Sequence, residues 1–397
     1  MKTLAAAVVT AFVVPLLVVG QVPANAAPPL HPTTAQQGQG KDPVSEPGRF
    51  SATLTANPRY RLGEPITLAF GLHNASDEDQ SVLAWDTPLD NPDREVLDYL
   101  RVSGDTGDLP YQGRRIKRGD PDGSSYLLVR AGESLHSTID VSTSYAITEP
   151  GTYTATLDTH LRDVITRTAS APAARALGEF TRADLPEVST TFEVVAGGAP
   201  RLPVAATLPD EGQDAGPSDT RAAKDPAFKN GTDKQKTAVR KAHSTAWEYA
   251  GNAEAELPVP APDTTPKRYT TWFGAYRAAR YETVSDHFTR IRKHLANTKI
   301  TYDLKSPSCE DSYYAFVYSS RPTEVYLCPQ FWNAPATGTD SKAGTIVHEL
   351  SHFTVNGGTE DIRYGQAGCR ELAEEHPDQA VRNADSHEYF AESIPLV

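Results

Sequence analysis

Cysteine is scarce in this sequence, basic charge is in deficit, and beyond the extreme N-terminus no apolar run is long enough to cross a bilayer. Each shortage removes a class of protein. A net charge of −13 excludes nucleic acid as a partner, because a phosphate backbone demands a basic face, and leaves room for a cationic substrate. Three cysteines allow one disulfide and leave one thiol over. No internal repeat is present, so a solenoid is excluded. What remains is ordinary for a globular chain, with 39% hydrophobic and 22% charged residues. A length of 397 residues suits two domains better than one.

The first residues set the compartment. MKTLAAAVVTAFVVPLLVVGQVPANA has one lysine, an apolar stretch broken by Pro15, and the small-residue triplet Ala24-Asn25-Ala26. It predicts a secretory signal peptide over 1–26, and hence an exported, extracellular product with no membrane association once mature. An uncleaved anchor is the competing reading, against which stand the shortness of the run and its proline. In an oxidising compartment Cys309 and Cys328 are expected to pair, since they flank an apparent hairpin, YYAFVYSSRPTEVYLC. Cys369 is then expected to be free and buried, with a thiolate metal ligand as the alternative.

Residues 27–49 hold few large apolar side chains and read as a flexible leader. From Phe50 the period becomes two: Ile66, Leu68, Phe70 and Leu72 alternate with smaller residues, and TYTATL and STTFEVV repeat the pattern between turn residues. An all-β, immunoglobulin-like sandwich is predicted for 50–195. Residues 196–228, rich in Ala, Gly, Pro and Asp, read as an exposed linker open to proteases. After it the period becomes helical. Thr232 to Gln235 has the form of a capping box, Val239, Ala242, Ala246, Tyr249 and Ala253 mark one helix face, and Val284, Phe288, Ile291 and Leu295 mark another. Asp340 is placed to cap a third helix, and short helices are predicted around 370–375 and 387–392.

That third helix carries HELSH. His348 and His352 lie four residues apart, so both imidazoles leave one helix face and can hold one metal ion. Glu349 stands next to the first of them, in reach of a water on that metal as general base. The plain alternative is a surface helix with two solvated histidines. Gly357-Gly358 argues otherwise: it ends the helix and turns the chain back, bringing Asp361 to the place of a third ligand. Two histidines and one carboxylate leave a fourth position open for water, which suits a catalytic zinc rather than a structural one.

HExxH followed by Gly358-Thr359-Glu360-Asp361 matches the GTxD signature of the aspzincins, the deuterolysin-like metalloendopeptidases. Within them, 229–397 resembles the peptidyl-Lys metalloendopeptidases, through RYTTWFGAY, VYLCPQFW, APATGTDSKAGT, HELSHFTVNGGT, IRYGQA and NADSHEYFAE. The resemblance implies an α+β, mainly helical zincin-type domain. It implies one catalytic Zn2+ on His348, His352 and Asp361, Glu349 as base, and Tyr364 as a donor to the developing oxyanion. Asp385 and Glu388 match the carboxylates that line the pocket for the side chain after the scissile bond. Three apart, they share a helix face and can receive an ammonium together, so cleavage of proteins and peptides on the amino side of lysine is expected. Fungal-type members carry a further disulfide near the position where this chain has Thr232, which leaves the first helix less firmly tied. The β region is similar to a domain ahead of some bacterial relatives, in stretches such as SVLAWDTPLD, and is expected to act as a propeptide that inhibits, assists folding, or both. Phe228–Lys229, in the linker, is then a candidate for self-processing. Two rival readings remain at this level: an endopeptidase without strict lysine preference, and a non-catalytic secreted binding protein.

Overall fold

Strand Phe50–Ala56 shows the alternating burial that its sequence predicts, and it pairs antiparallel with Thr67–Asn74, which pairs in turn with Ser134–Asp140. A second sheet runs in the order Arg59–Arg61, Ser189–Val195, Gly151–Leu157, Leu100–Gly104 and Gly107–Asp108. Leu54, Leu68, Phe70 and Ile139 from the first sheet share one core with Val102, Tyr153, Ala155 and Phe192 from the second. The result is a two-layer β region, with the strands expected at 66–72, 152–157 and 189–195 in place. A small third sheet, Val164–Thr166, Gln80–Leu83 and Tyr126–Val129, borders it.

This computed structural model describes residues 49–90, 95–166, 180–207, 222–259 and 265–393, all of which fall within one compact unit. The expected signal peptide, nearly all of the leader, and 208–221 of the expected linker lie outside the described residues. Among those described, no helix is long and apolar enough to cross a membrane.

The C-terminal half is mainly helical. Asp233–Glu256 begins at the Thr232–Gln235 capping box, and it packs with Ala278–Asn297 and Lys342–His352 around Val239, Tyr249, Phe288, Ile291, Ile346 and Leu350. Each such fully buried aliphatic or phenyl side chain contributes about 1.5–3 kcal/mol. Lys267–Phe273, Gly365–Glu375 and Ala384–Glu392 complete the helical layer. The hairpin Tyr313–Tyr318 and Glu324–Leu327 lies beside it, closed by the Cys309–Cys328 disulfide, and Cys369 is free and buried. The hairpin has two apolar faces. Ala315, Val317, Val325 and Leu327 enter the helical core, whereas Tyr313, Phe316 and Tyr318 enter the core of the β region.

Three expectations need correction. Ser341, not Asp340, caps the Lys342–His352 helix, its hydroxyl accepting from the Gly344 amide. Asp340 instead sits at φ +50° with its carboxylate turned inward. The C-terminal fold also begins earlier than 229, because Ala227–Lys229 forms a parallel strand with Thr301–Asp303. Finally, the sheet of the C-terminal half is not made by that half alone. Its order is Ala227–Lys229, Thr301–Asp303, Glu324–Leu327, Tyr313–Tyr318, and then Arg114–Arg118, a strand from the β region.

Candidate active site

The Lys342–His352 helix is buried along most of its length, so its histidines are not the solvated pair of a surface helix. Its start is fixed by the Glu392 carboxylate, which accepts from the Asp340 and Ser341 amides and from the Ser341 hydroxyl. Gly344 is needed for that approach, since a Cβ there would stand 1.9 Å from Glu392 Oε1. The helix stops at Phe353. Gly358, at φ +61°, reverses the chain, and the segment that returns is held where the Glu360 amide donates to the Arg382 carbonyl.

The reversal brings Asp361 to the histidines. His348 Nε2 and His352 Nε2 lie 3.1 Å apart, and Asp361 Oδ1 is 3.2 Å from the first and 3.4 Å from the second. The opposite ring nitrogens are engaged elsewhere. His352 Nδ1 donates to the Thr359 carbonyl at 2.7 Å, and His348 Nδ1 is 2.9 Å from Asp385 Oδ1. The Thr359 carbonyl fixes the tautomer of His352 and leaves its Nε2 with a lone pair toward the cluster, while the far nitrogen of His348 faces a carboxylate. Asp361 Oδ1 has no hydrogen-bond partner, and neither has either carboxylate oxygen of buried Glu349. Two imidazoles and a carboxylate converging within 4.8 Å, with unsatisfied oxygens beside them, fit a divalent metal with nitrogen and oxygen ligands.

Asp385 and Glu388 project from Ala384–Glu392 into the same interior, both essentially without solvent exposure. Each faces His348 Nδ1 on one side, and on the other a cation that sequence reasoning missed. Lys117 Nζ is 2.7 Å from Glu388, 3.6 Å from Asp385 and 3.7 Å from Asp340. Burial alone would lower the Lys117 pKa, but the three carboxylates outweigh it and hold the ammonium well above its ordinary range. Asp385 is pulled down, against its burial, by Lys117 and His348 and by the Gly365 amide that donates to it at 2.7 Å. Asp340 is therefore a third wall of this pocket, kept in place by the Tyr389 hydroxyl.

Tyr364, also buried, donates from its hydroxyl to the Ile116 carbonyl at 3.3 Å. Its ring packs with Trp85 and lies under the Arg162 guanidinium, whose nitrogens reach the Asp361 and Ile362 carbonyls. His348, His352, Asp361, Asp385 and Glu388 thus come together in one cluster, and Tyr364 adjoins it through Arg162, which holds the Asp361 carbonyl. Lys117, Asp340 and Arg162 join them without a motif to announce them. The hint was charge: two carboxylates sharing a buried helix face need a cation between them.

A buried HExxH helix joined by a carboxylate from a returning loop is the arrangement of a metallopeptidase. The comparisons agree: residues 260–392 match the family model described as lysine-specific metallo-endopeptidase, and the chain belongs to that aspzincin family as a metalloendopeptidase. It is 35% identical to an extracellular protease of Aeromonas hydrophila over 84% of this chain and 89% of the relative. A peptidyl-Lys metalloendopeptidase of Pleurotus ostreatus is 49% identical over 41% of this chain and 94% of its own length. Among solved structures, a zinc peptidase from Grifola frondosa aligns at 43% identity over 41% of this chain and 96% of that one, with a TM-score of 0.38.

Proposed function

We propose that this is an exported zinc endopeptidase that hydrolyses proteins and peptides on the amino side of lysine. In this reading it is made as a precursor whose β region, an immunoglobulin-like sandwich, occupies the active site. His348, His352 and Asp361 would hold a zinc ion, which would supply Lewis-acid polarisation of the scissile carbonyl and a lowered pKa for water at the site. Glu349 would act as the general base, accepting a proton from the attacking water and returning it to the leaving amine. Its unpartnered carboxylate, buried beside the cluster, is suited to that task. The Tyr364 phenol donates to the carbonyl oxygen as negative charge develops there. Asp385, Glu388 and Asp340 receive the side chain that follows the cut. His348 links the two ends of the site, because Asp385 faces both its Nδ1 and the lysine ammonium.

The observation that carries the lysine reading is the Lys117 ammonium seated 2.7 Å from Glu388, with Lys117, Asp385 and Glu388 all buried. An arginine would present a larger planar fork to the same space, so lysine is the expected preference. The test is a digest of an unrelated protein by the processed enzyme, with the new N-termini identified. Lysine at nearly all of them is the expected result. A broad spread of residues would place the protein with endopeptidases that lack the preference.

A further inference from the structure

The strand Arg114–Arg118 lies antiparallel on Tyr313–Tyr318, with Ile116 opposite Phe316 and Lys117 opposite Ala315. Adding a strand to an open sheet edge is how many proteases and receptors take an extended peptide: backbone pairing sets the register and side-chain pockets choose the residue. Here the register puts consecutive groups on the two halves of the site. The Ile116 carbonyl receives the Tyr364 hydroxyl, and the next side chain, Lys117, fills the carboxylate pocket. The peptide bond between them therefore lies where a peptide cut before lysine would present its scissile bond.

We infer that Ile116–Lys117 is itself a substrate bond, so that this strand both blocks the active site and is the first place where the precursor cuts itself. The inference rests on the lysine-specific reading above. In the step, the bond between the Ile116 carbonyl carbon and the Lys117 nitrogen breaks. The water oxygen remains in the new Ile116 carboxylate, and its proton passes through Glu349 to the new Lys117 amine.

Two further observations favour this bond over Phe228–Lys229. Lys229 is paired with Glu324 at 2.9 Å, in the strand at the opposite edge of the same five-stranded sheet. Four strand spacings of about 4.8 Å put roughly 19 Å between the two edges, so the same active site cannot act on both in this arrangement. The second is composition. Between residues 50 and 195 the sequence has twelve arginines and a single lysine, Lys117. A lysine-directed protease finds no other target there. The cut also leaves both new ends anchored, since Arg114 is paired with Glu95 at 2.8 Å and Arg118 with Asp90 at 2.6 Å. The nicked strand stays seated, and release of the β region needs a later event.

The full-length precursor, prepared without metal and then supplied with zinc, tests the inference by intact mass and N-terminal sequencing. A new terminus at Lys117 should appear before any other, at a rate unchanged by tenfold dilution, and should be absent from Glu349→Gln and Lys117→Ala precursors. A second readout needs no turnover. In the metal-free Glu349→Gln precursor, amine acylation should modify Lys117 at least tenfold more slowly than exposed Lys234, and the protection should fall in Glu349→Gln/Glu388→Gln. If the processed enzyme cuts an unrelated protein before lysine but no Lys117 terminus forms, or Lys117 is acylated as fast as Lys234, the inference is overturned while the lysine reading stands. If that digest shows no lysine preference, it is the reading of the pocket that has failed.

Discussion

The four cations of the strand Arg114–Arg118 are satisfied in two different ways. Arg114, Arg115 and Arg118 take their acids, Glu95, Asp98 and Asp90, from the β region to which they belong. Lys117 takes Glu388, Asp385 and Asp340 from the peptidase half. The three arginines would keep these acids if the halves separated. The lysine would leave a buried pair of carboxylates facing water or a new ammonium. The β region is thus internally neutralised along this strand except at one point, Lys117, whose charge is met by carboxylates of the peptidase half.

The largest effect should come from the chemistry rather than from this pairing. Glu349→Gln removes the proton acceptor but none of the three candidate ligands, so turnover should fall by about 10²–10⁴-fold with stoichiometric zinc retained. Asp361→Ala should also abolish turnover, but by losing the metal. Elemental analysis of the two variants beside native protein separates these cases. Equal zinc in the Asp361 variant would remove that residue from the ligand set, and near-normal hydrolysis in the Gln variant would remove the base.

Next in size is the charge pairing itself. Lys117→Met leaves Glu388 and Asp385 buried against a neutral side chain, which should cost the full-length chain about 3–5 kcal/mol in a denaturant titration. Combining it with Glu388→Gln should recover a large part of that loss, because the double variant buries one charge fewer of each sign. By contrast, Arg115→Met breaks a pair whose acid is one-third exposed, Asp98 at 33%, and should cost no more than about 1 kcal/mol. Equal costs at Lys117 and Arg115 would mean that the two kinds of pairing do not differ.

Much of this site was legible beforehand because its residues are close in the chain. A helix puts positions four apart on one face, and a glycine turn returns the next carboxylate, so His348, His352 and Asp361 follow from local geometry. The Cys309–Cys328 pair followed from a hairpin for the same reason. What escaped was the long-range pairing. The strand Arg114–Arg118 has one apolar residue, Ile116, between cations, and so lacks the alternation by which a half-buried strand is recognised. Its burial is made possible by acids elsewhere: Glu95 is 19 residues away, and Glu388 is 271. Asp340 was misjudged for a related reason. An aspartate before a helix looks like a cap, but the neighbouring Ser341 had taken that task and left the carboxylate to the pocket.

A small effect on stability should come from Tyr364, a residue of the peptidase half whose ring packs into the β region. That ring lies with Leu83, Trp85 and Tyr126 of the β region, and its hydroxyl makes one hydrogen bond to the Ile116 carbonyl. Tyr364→Phe keeps the ring contacts and deletes only the donor, so the stability of the full-length chain should drop by about 1 kcal/mol. Burial, with Asp86 and Asp361 nearby, keeps the phenol well above its ordinary pKa despite Arg162 and Arg118, so at neutral pH it is protonated and able to donate. A donor aimed at a carbonyl matters most when that oxygen becomes an oxyanion, and its loss should lower kcat by about 10²-fold. KM should move little, because the bound ground state draws much less on that bond. A Phe variant whose KM rises while kcat holds would assign Tyr364 to substrate binding, and one that loses stability without losing rate would make it a packing residue shared by the two halves.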